Sequence, residues 1–309
     1  MKTFREKGSQ PIFGVKVEKD VYIPMRDGTK LAADIYRPDA VGRYPALLSM
    51  SPYDKDKQNI PMEPIDLLES RGLSPEKMME LASIEAGMSE YFAKRGYVHV
   101  IVNVRGTFKS EGEYQGVFSP QEQEDGYDLV EWIAQQPWCN GNVGMVGISY
   151  FAVIQYLVAS LKNPPPHLKA IFPLDGFTDL YRHLAYHGGI CTIGFPMAWY
   201  QGLKGNCRIT PLSPKVLGAK IEIKVEELLN SDAVKNRPDL IKILKNPETN
   251  PLVYDLLLNP TDGPFYWERA SWKRLEKIKI PTYVGSDWAK GAIHLNGAFT
   301  AFELSLIHI

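Results

Sequence analysis

Apolar and polar positions alternate over residues 15–24, which predicts a half-buried strand. Asp27-Gly28 marks a tight turn, and 31–36 returns as a second strand that Pro38 stops. The run 44–50 predicts a buried third strand, and 97–102, a run of β-formers, predicts a fourth. Between them, 56–80 is charged and broken by prolines, the pattern of a surface excursion with one or two helical turns. Residues 82–94 carry helical spacing through Ile84, Met88, Tyr91 and Phe92, ended by Gly96. Ser119-Pro120-Gln121-Glu122 is a helix start, with Ser119 as cap, Pro120 at the first position and Glu122 as a capping-box acid. That helix runs through Leu129, Val130, Trp132 and Ile133 and breaks at Pro137. Strands at 142–146 and 168–174 then flank an almost uncharged helical run, 151–161, closed by Pro164-Pro165-Pro166.

Strands alternating with helices after an initial hairpin predict a mostly parallel sheet with helices on both faces, an α/β architecture. The rhythm changes over 177–271, where no strand pattern stands out. Helical patterns at 214–230, 239–244 and 254–258 predict an inserted helical segment, and the sheet resumes at 278–284. The chain thus divides into a first part of the core (1–176), a helical insertion (177–271), a resumed core (272–303) and a tail (304–309).

Composition narrows the picture. The chain has 309 residues, 44% of them hydrophobic, with a formal net charge of −1. That suits a globular chain with a sizeable core, and near-zero charge gives no reason to expect nucleic acid as a partner. No apolar run reaches the roughly 18–20 residues of a membrane span. The polar, charged first ten residues carry no leader pattern, so the expectation is a cytoplasmic protein. Cys139, Cys191 and Cys207 are too few and too irregularly spaced for a disulfide framework or a zinc site. His183 and His187 stand four apart without an acidic partner, so no metal is expected.

The chemistry concentrates in Gly147-Ile148-Ser149-Tyr150. A strand, a sharp turn tipped by a serine and a buried helix is how an α/β-hydrolase presents a nucleophile. Gly147 relieves the turn, where a Cβ would clash. Taken alone, the pattern is equally that of an ordinary strand-to-helix turn, and bulky Phe151 stands where the general motif has glycine.

Further motifs occur in order: Met25-Arg26-Asp27-Gly28, Pro52-Tyr53-Asp54-Lys55, Val104-Arg105-Gly106, Ser110-Glu111-Gly112-Glu113, Gln136-Pro137-Trp138 and Gly144-Met145-Val146-Gly147-Ile148-Ser149-Tyr150. Together they resemble the X-Pro dipeptidyl-peptidase-like (peptidase S15), CocE/NonD group of α/β-hydrolases, which also accepts a large residue after Ser-Tyr. The resemblance implies a serine hydrolase for ester or amide acyl compounds, working without cofactor. It implies Ser149 as nucleophile, with the Tyr53 hydroxyl and the Tyr150 backbone N–H as oxyanion-hole donors. The 177–271 insertion would be a lid. Phe195, Trp199 and Tyr200 are expected to pack within it, with lining of the acyl pocket as the alternative. Arg105 is read as a brace for the loop after strand four, and Asp27, Asp34 and Glu131 as structural or solvated.

The rest of the triad departs from the family pattern. The family's acid falls in the turn after 278–284, where alignment puts Lys290. Asp287, three residues earlier, is the candidate acid, and Asp175 is the alternative. His294 lies only seven residues past Asp287 and is set aside, and His308 lies in a tail unlike the family. The reading is therefore that the C-terminal part of the fold, with the base histidine, is not in this chain. A non-catalytic binding or scaffold protein of the same fold is the competing hypothesis. The natural substrate and oligomeric state stay open.

Overall fold

The computed structural model of the chain describes residues 8–58, 84–288 and 293–304. Its sheet contains β1 (Val15–Pro24), β2 (Lys30–Pro38), β3 (Tyr44–Ser51), β4 (Val98–Asn103), β5 (Cys139–Ile148) and β6 (Leu168–Leu174), in the order β1-β2-β4-β3-β5-β6. β2 pairs antiparallel with β1 and with β4. The β4-β3, β3-β5 and β5-β6 pairs are parallel. The expected hairpin followed by a parallel sheet is present.

Burial along β4 shows both faces covered. Val100 and Val102 pack in one cluster with Leu48 and Met50 of β3 and with Leu129, Val130 and Ile133 of a helix, α2 (Pro120–Ala134). Ile101, between them, packs in another cluster with Tyr36 and with Ala93 of α1 (Ser89–Ala93). Successive strand residues point to opposite faces, so α1 and α2 lie on opposite sides of the sheet. α3 (Tyr150–Ala159) is buried at every residue, which is why its sequence carries no charge.

α2 starts as expected, with Ser119 Oγ accepting the Glu122 N–H at 3.1 Å. The Glu122 carboxylate departs from the capping box. It accepts from the N–H of Phe118, one residue before the cap, and from the Tyr150 hydroxyl.

Residues 177–271, where an insertion is expected, are mainly helical. They contain a small hairpin, β7 (Tyr186–His187) with β8 (Ile190–Cys191), then α4 (Gly194–Leu203), α5 (Ser213–Leu217), α6 (Ile221–Asn230), α7 (Pro238–Lys245), α8 (Pro251–Leu258) and α9 (Pro264–Trp267). Two-residue strands leave no period to read, so the hairpin was not expected. The single helix expected at 214–230 is split at Gly218, whose φ of +52° cannot continue a right-handed helix. α4 was missed because Gly194, Pro196 and Gly202 lower its helical signal. Val234, Leu240, Ile243, Leu244, Val253 and Tyr254 give the insertion a core of its own.

The resumed core is an irregular parallel neighbour of β6. Thr282 bridges to Ile171 and Gly285 to Leu174, with Ile171 N–H to Pro281 O at 3.0 Å and Tyr283 N–H to Ile171 O at 3.1 Å. Pro173 lacks the N–H that would meet Tyr283 O, so the ladder is discontinuous between the two bridges. α10 (Leu295–Leu304) follows. Most of the 56–80 excursion, Lys290 and the tail with His308 lie outside the described residues. Among the described residues no helix is long and apolar enough to cross a membrane.

Candidate active site

Ser149 stands at the junction of β5 and α3 with φ +58° and ψ −113°, a conformation strained for a residue with a Cβ. Backbone bonds hold it there: Ser149 N–H to Leu174 O at 2.9 Å, and Ile148 N–H to Glu85 O at 3.0 Å. Gly147 has φ +135°, and a Cβ added to it would lie 2.4 Å from Phe151 Cβ. Glycine is therefore required on both steric and conformational grounds. The strain presents the hydroxyl at the C-terminal edge of the sheet.

A histidine reaches that hydroxyl. His294 Nε2 lies 3.0 Å from Ser149 Oγ, and His294 is buried. Sequence spacing set His294 aside and placed the base outside this chain, whereas the structure puts His294 within hydrogen-bond distance of Ser149. Spacing from Asp287 misled because the relevant separation is spatial. Gly285 bridges to Leu174, whose carbonyl takes the Ser149 N–H, so the chain from 285 onward starts beside the serine. His294 also precedes α10 instead of lying within it.

Tyr53, two residues past β3, brings its hydroxyl to the same point. Trp199 of α4 donates its Nε1–H to Tyr53 Oη at 3.0 Å, and Tyr53 and Ser149 line the same cleft. Its ring meets those of Tyr150, Phe151 and Trp199 at centroid distances of 6.0–6.3 Å. Burial pushes the phenol well above its ordinary pKa, so it keeps its proton. Below it, Asn103 Nδ2 donates to Tyr53 O at 2.6 Å.

The same loop is fastened by Lys55. Its buried ammonium donates to Asp20 at 2.6 Å, Asp34 at 2.7 Å and Asp56 at 2.8 Å. Burial alone would depress the ammonium's pKa, but the three carboxylates outweigh it and raise it. Asp20 reaches in through a bulge in β1, where its φ is +54°. These three carboxylates are close enough to ligate a cation, and the Lys55 ammonium is that cation.

Tyr150, the first residue of α3, carries a backbone N–H without an intrahelical acceptor. Its side chain is fixed from behind: the hydroxyl donates to Glu122 Oε2 at 2.8 Å and lies 2.9 Å from the Tyr114 hydroxyl. Phe118 stacks on its ring at 4.2 Å. Burial pushes the Glu122 carboxyl up to about 8, so it is protonated at neutral pH. Sequence reading missed this role of Glu122, since Ser119–Glu122 spacing reads as a cap whichever way the carboxyl turns.

Asp175 and Asp287 come together beside Ser149. Asp175 Oδ1 accepts from Ser286 Oγ at 2.7 Å and from Asp287 N–H at 3.1 Å, and Asp175 N–H donates to Gly285 O at 2.8 Å. Asp175 is buried, with φ +52°, while Asp287 is exposed. Arg105 braces its loop as expected, pairing with Asp125 and Asp27 at 2.7 Å each. Asp34 is wholly buried in the Lys55 cage, and Glu131 holds His167 at 2.7 Å.

A cleft of about 410 Å³, counting space open to solvent, contains Ser149 and His294. Phe118, Phe177, Leu184, Phe195, Trp199 and Leu252 line it. Phe195 and Trp199 therefore line the cleft instead of only packing within the insertion, whereas Tyr200 is buried. An adjoining, more enclosed cavity shares Trp199 and Leu184 but contains neither Ser149 nor His294.

The sequence profile described as X-Pro dipeptidyl-peptidase (S15 family) matches residues 27–305. The chain belongs to this family. Cocaine esterase of Rhodococcus sp. (strain MB1 Bresler) is 32% identical to the S15-family chain over 284 residues, 90% of this chain and 44% of the esterase. A putative Xaa-Pro dipeptidyl-peptidase of Bacillus anthracis is 27% identical over 220 residues, 64% of this chain and 35% of that protein. A CocE/NonD family hydrolase of Staphylococcus aureus, known from a crystal structure, superposes with a TM-score of 0.66 at 30% identity, covering 94% of this chain and 44% of that one. The fold is that of an α/β-hydrolase. This chain spans less than half the length of these relatives.

Proposed function

We propose that this chain is a serine hydrolase that cleaves an ester or amide acyl bond through an acyl-Ser149 intermediate. The observation that carries the reading is the 3.0 Å contact between His294 Nε2 and Ser149 Oγ at a strained strand-to-helix turn. His294 takes the Oγ proton as Ser149 attacks the acyl carbon, then returns it to the leaving group. The Tyr53 hydroxyl and the Tyr150 N–H receive the negative charge on the former carbonyl oxygen. A water activated by His294 then releases the acid and frees the serine. Asp287 is assigned as the acid that orients His294, with Asp175 holding its turn. Residues 177–271 act as a lid whose aromatic side chains exclude water.

The cleft favours a neutral substrate with apolar groups. Among the described residues lining it there is no carboxylate to receive a free amine, so ester or acyl-amide hydrolysis fits better than dipeptide release. The scaffold reading rested on a missing base and on Lys290 at the acid position; the His294 contact argues against the first ground, and Lys290 lies outside the described residues.

p-Nitrophenyl ester hydrolysis tests the assignment. Ser149→Ala should abolish it, His294→Ala should lower kcat by at least about 10³, and Tyr53→Phe should lower it by about 10²–10³. Asp287→Asn should cost far more than Asp175→Asn at equal folded content; the reverse order would move the acid to Asp175. Wild-type rates from Ser149→Ala would sink the proposal.

A further inference from the structure

Trp199 is not one of the groups that carry the proposed chemistry, yet it is bonded to one of them. An indole N–H can only donate, so the 3.0 Å contact makes Tyr53 Oη the acceptor. The phenol has a single proton. With its oxygen occupied from the α4 side, that proton is aimed away from Trp199, and the cleft that Tyr53 shares with Ser149 is where it can be used. Donation into a phenol oxygen also makes its own O–H a stronger donor, since hydrogen bonds in a chain polarise one another. Without Trp199, rotation about the C–O bond would let the proton leave the site.

The two residues lie 146 positions apart, one on the loop after β3 and one on a helix of the insertion. The contact therefore links the insertion to the proposed oxyanion hole. Tyr150 stacks on Trp199 at 6.2 Å and 11°, so the indole plane is fixed against the second donor residue as well.

We propose that Trp199 is a positioning residue: its Nε1–H orients the Tyr53 hydroxyl, so that the oxyanion hole is complete only while α4 is seated on the core. This rests on the serine-hydrolase reading, but its test does not depend on turnover.

The probe is phenylboronic acid. Its trigonal boron accepts a lone pair of Ser149 Oγ, and the serine proton passes to His294. The tetrahedral boronate then places a hydroxyl where the oxyanion would sit. Trp199 is replaced by Phe and, separately, by 3-benzothienylalanine, which keeps the indole outline and lacks the N–H. Each replacement is made with Tyr53 and with Tyr53→Phe. With Tyr53 present, either replacement should weaken boronate binding on the order of tenfold, the value of one oriented hydrogen bond. With Tyr53→Phe, neither should weaken it further, because the two residues act as one unit. Equal weakening in both backgrounds, no weakening in either, or no boronate binding by the wild-type protein would overturn the proposal. The isosteric replacement decides the matter if the Phe variant folds poorly. Ser149-independent ester hydrolysis would defeat the serine-hydrolase reading alone, and the boronate cycle would still report on Trp199.

Discussion

At Glu122, burial decides both structure and titration. Its carboxyl has two donors on Oε2, Tyr150 and Phe118, while Oε1 is buried without a hydrogen-bond partner. Burial holds the proton on to about 8, against an ordinary value of 4.5. The folded chain thus keeps a proton that the unfolded chain releases between those values. Its stabilising contribution is fully present below pH 4.5 and declines as pH rises to about 8. Glu122→Gln mimics the protonated carboxyl, so the fall in Tm between pH 5 and 8 should be shallower than in the wild-type chain. Parallel Tm profiles would show that Glu122 is ionised in the fold. At this scale the sequence was legible where a motif sets the backbone. Ser149 and Gly147 could be read from the elbow pattern, and Tyr53 from its resemblance to the family loop. His294, Trp199 and Glu122 carry no such local mark. Each is defined by a partner about 28 to 146 positions away.

At the scale of elements, the loop after β3 is held at its near end by Asn103 and at its far end by the Lys55 cage. Lys55 and Asp34 side chains are both 0% exposed, while Asp20 and Asp56 keep about 40% of theirs. Lys55→Met would leave Asp34 charged and buried without its one fully buried cation partner, with half-exposed Lys19 as the cation that remains on it. A stability loss of roughly 3 kcal/mol is expected, read as a lower denaturant midpoint, with Lys55→Arg recovering part of it. A Met variant as stable as wild type would show that Lys19, which also reaches Asp34, suffices alone. Most strands and helices of the core were legible because alternation and apolar runs there match the layers they fill, but of the helix expected at 82–94 only Ser89–Ala93 is helical among the described residues. The insertion was less legible. Its helices are short and proline-started, and they pack on one another as much as on the core. Periodicity therefore gave their presence but not their breaks.

Over the whole molecule, one edge of the sheet gathers the chemistry. Tyr53 follows β3, Ser149 follows β5, Asp175 follows β6, and Asp287 follows the irregular strand beside β6. Ligands of open α/β sheets bind outside these carboxyl ends, and Leu184, Phe195, Trp199 and Leu252 from 177–271 line the cleft there. The alternating pattern of the chain foretold that edge, whereas the return of the chain from Gly285 to His294 could be known only in three dimensions. The central claim is that Ser149 is a nucleophile served by His294. Reaction with a fluorophosphonate probe, located by mass spectrometry of the intact and digested chain, tests it most directly. The account predicts one adduct, on Ser149, absent in Ser149→Ala and formed far more slowly in His294→Ala. A folded wild-type chain that takes up no label, or takes it up equally well without Ser149, would contradict it.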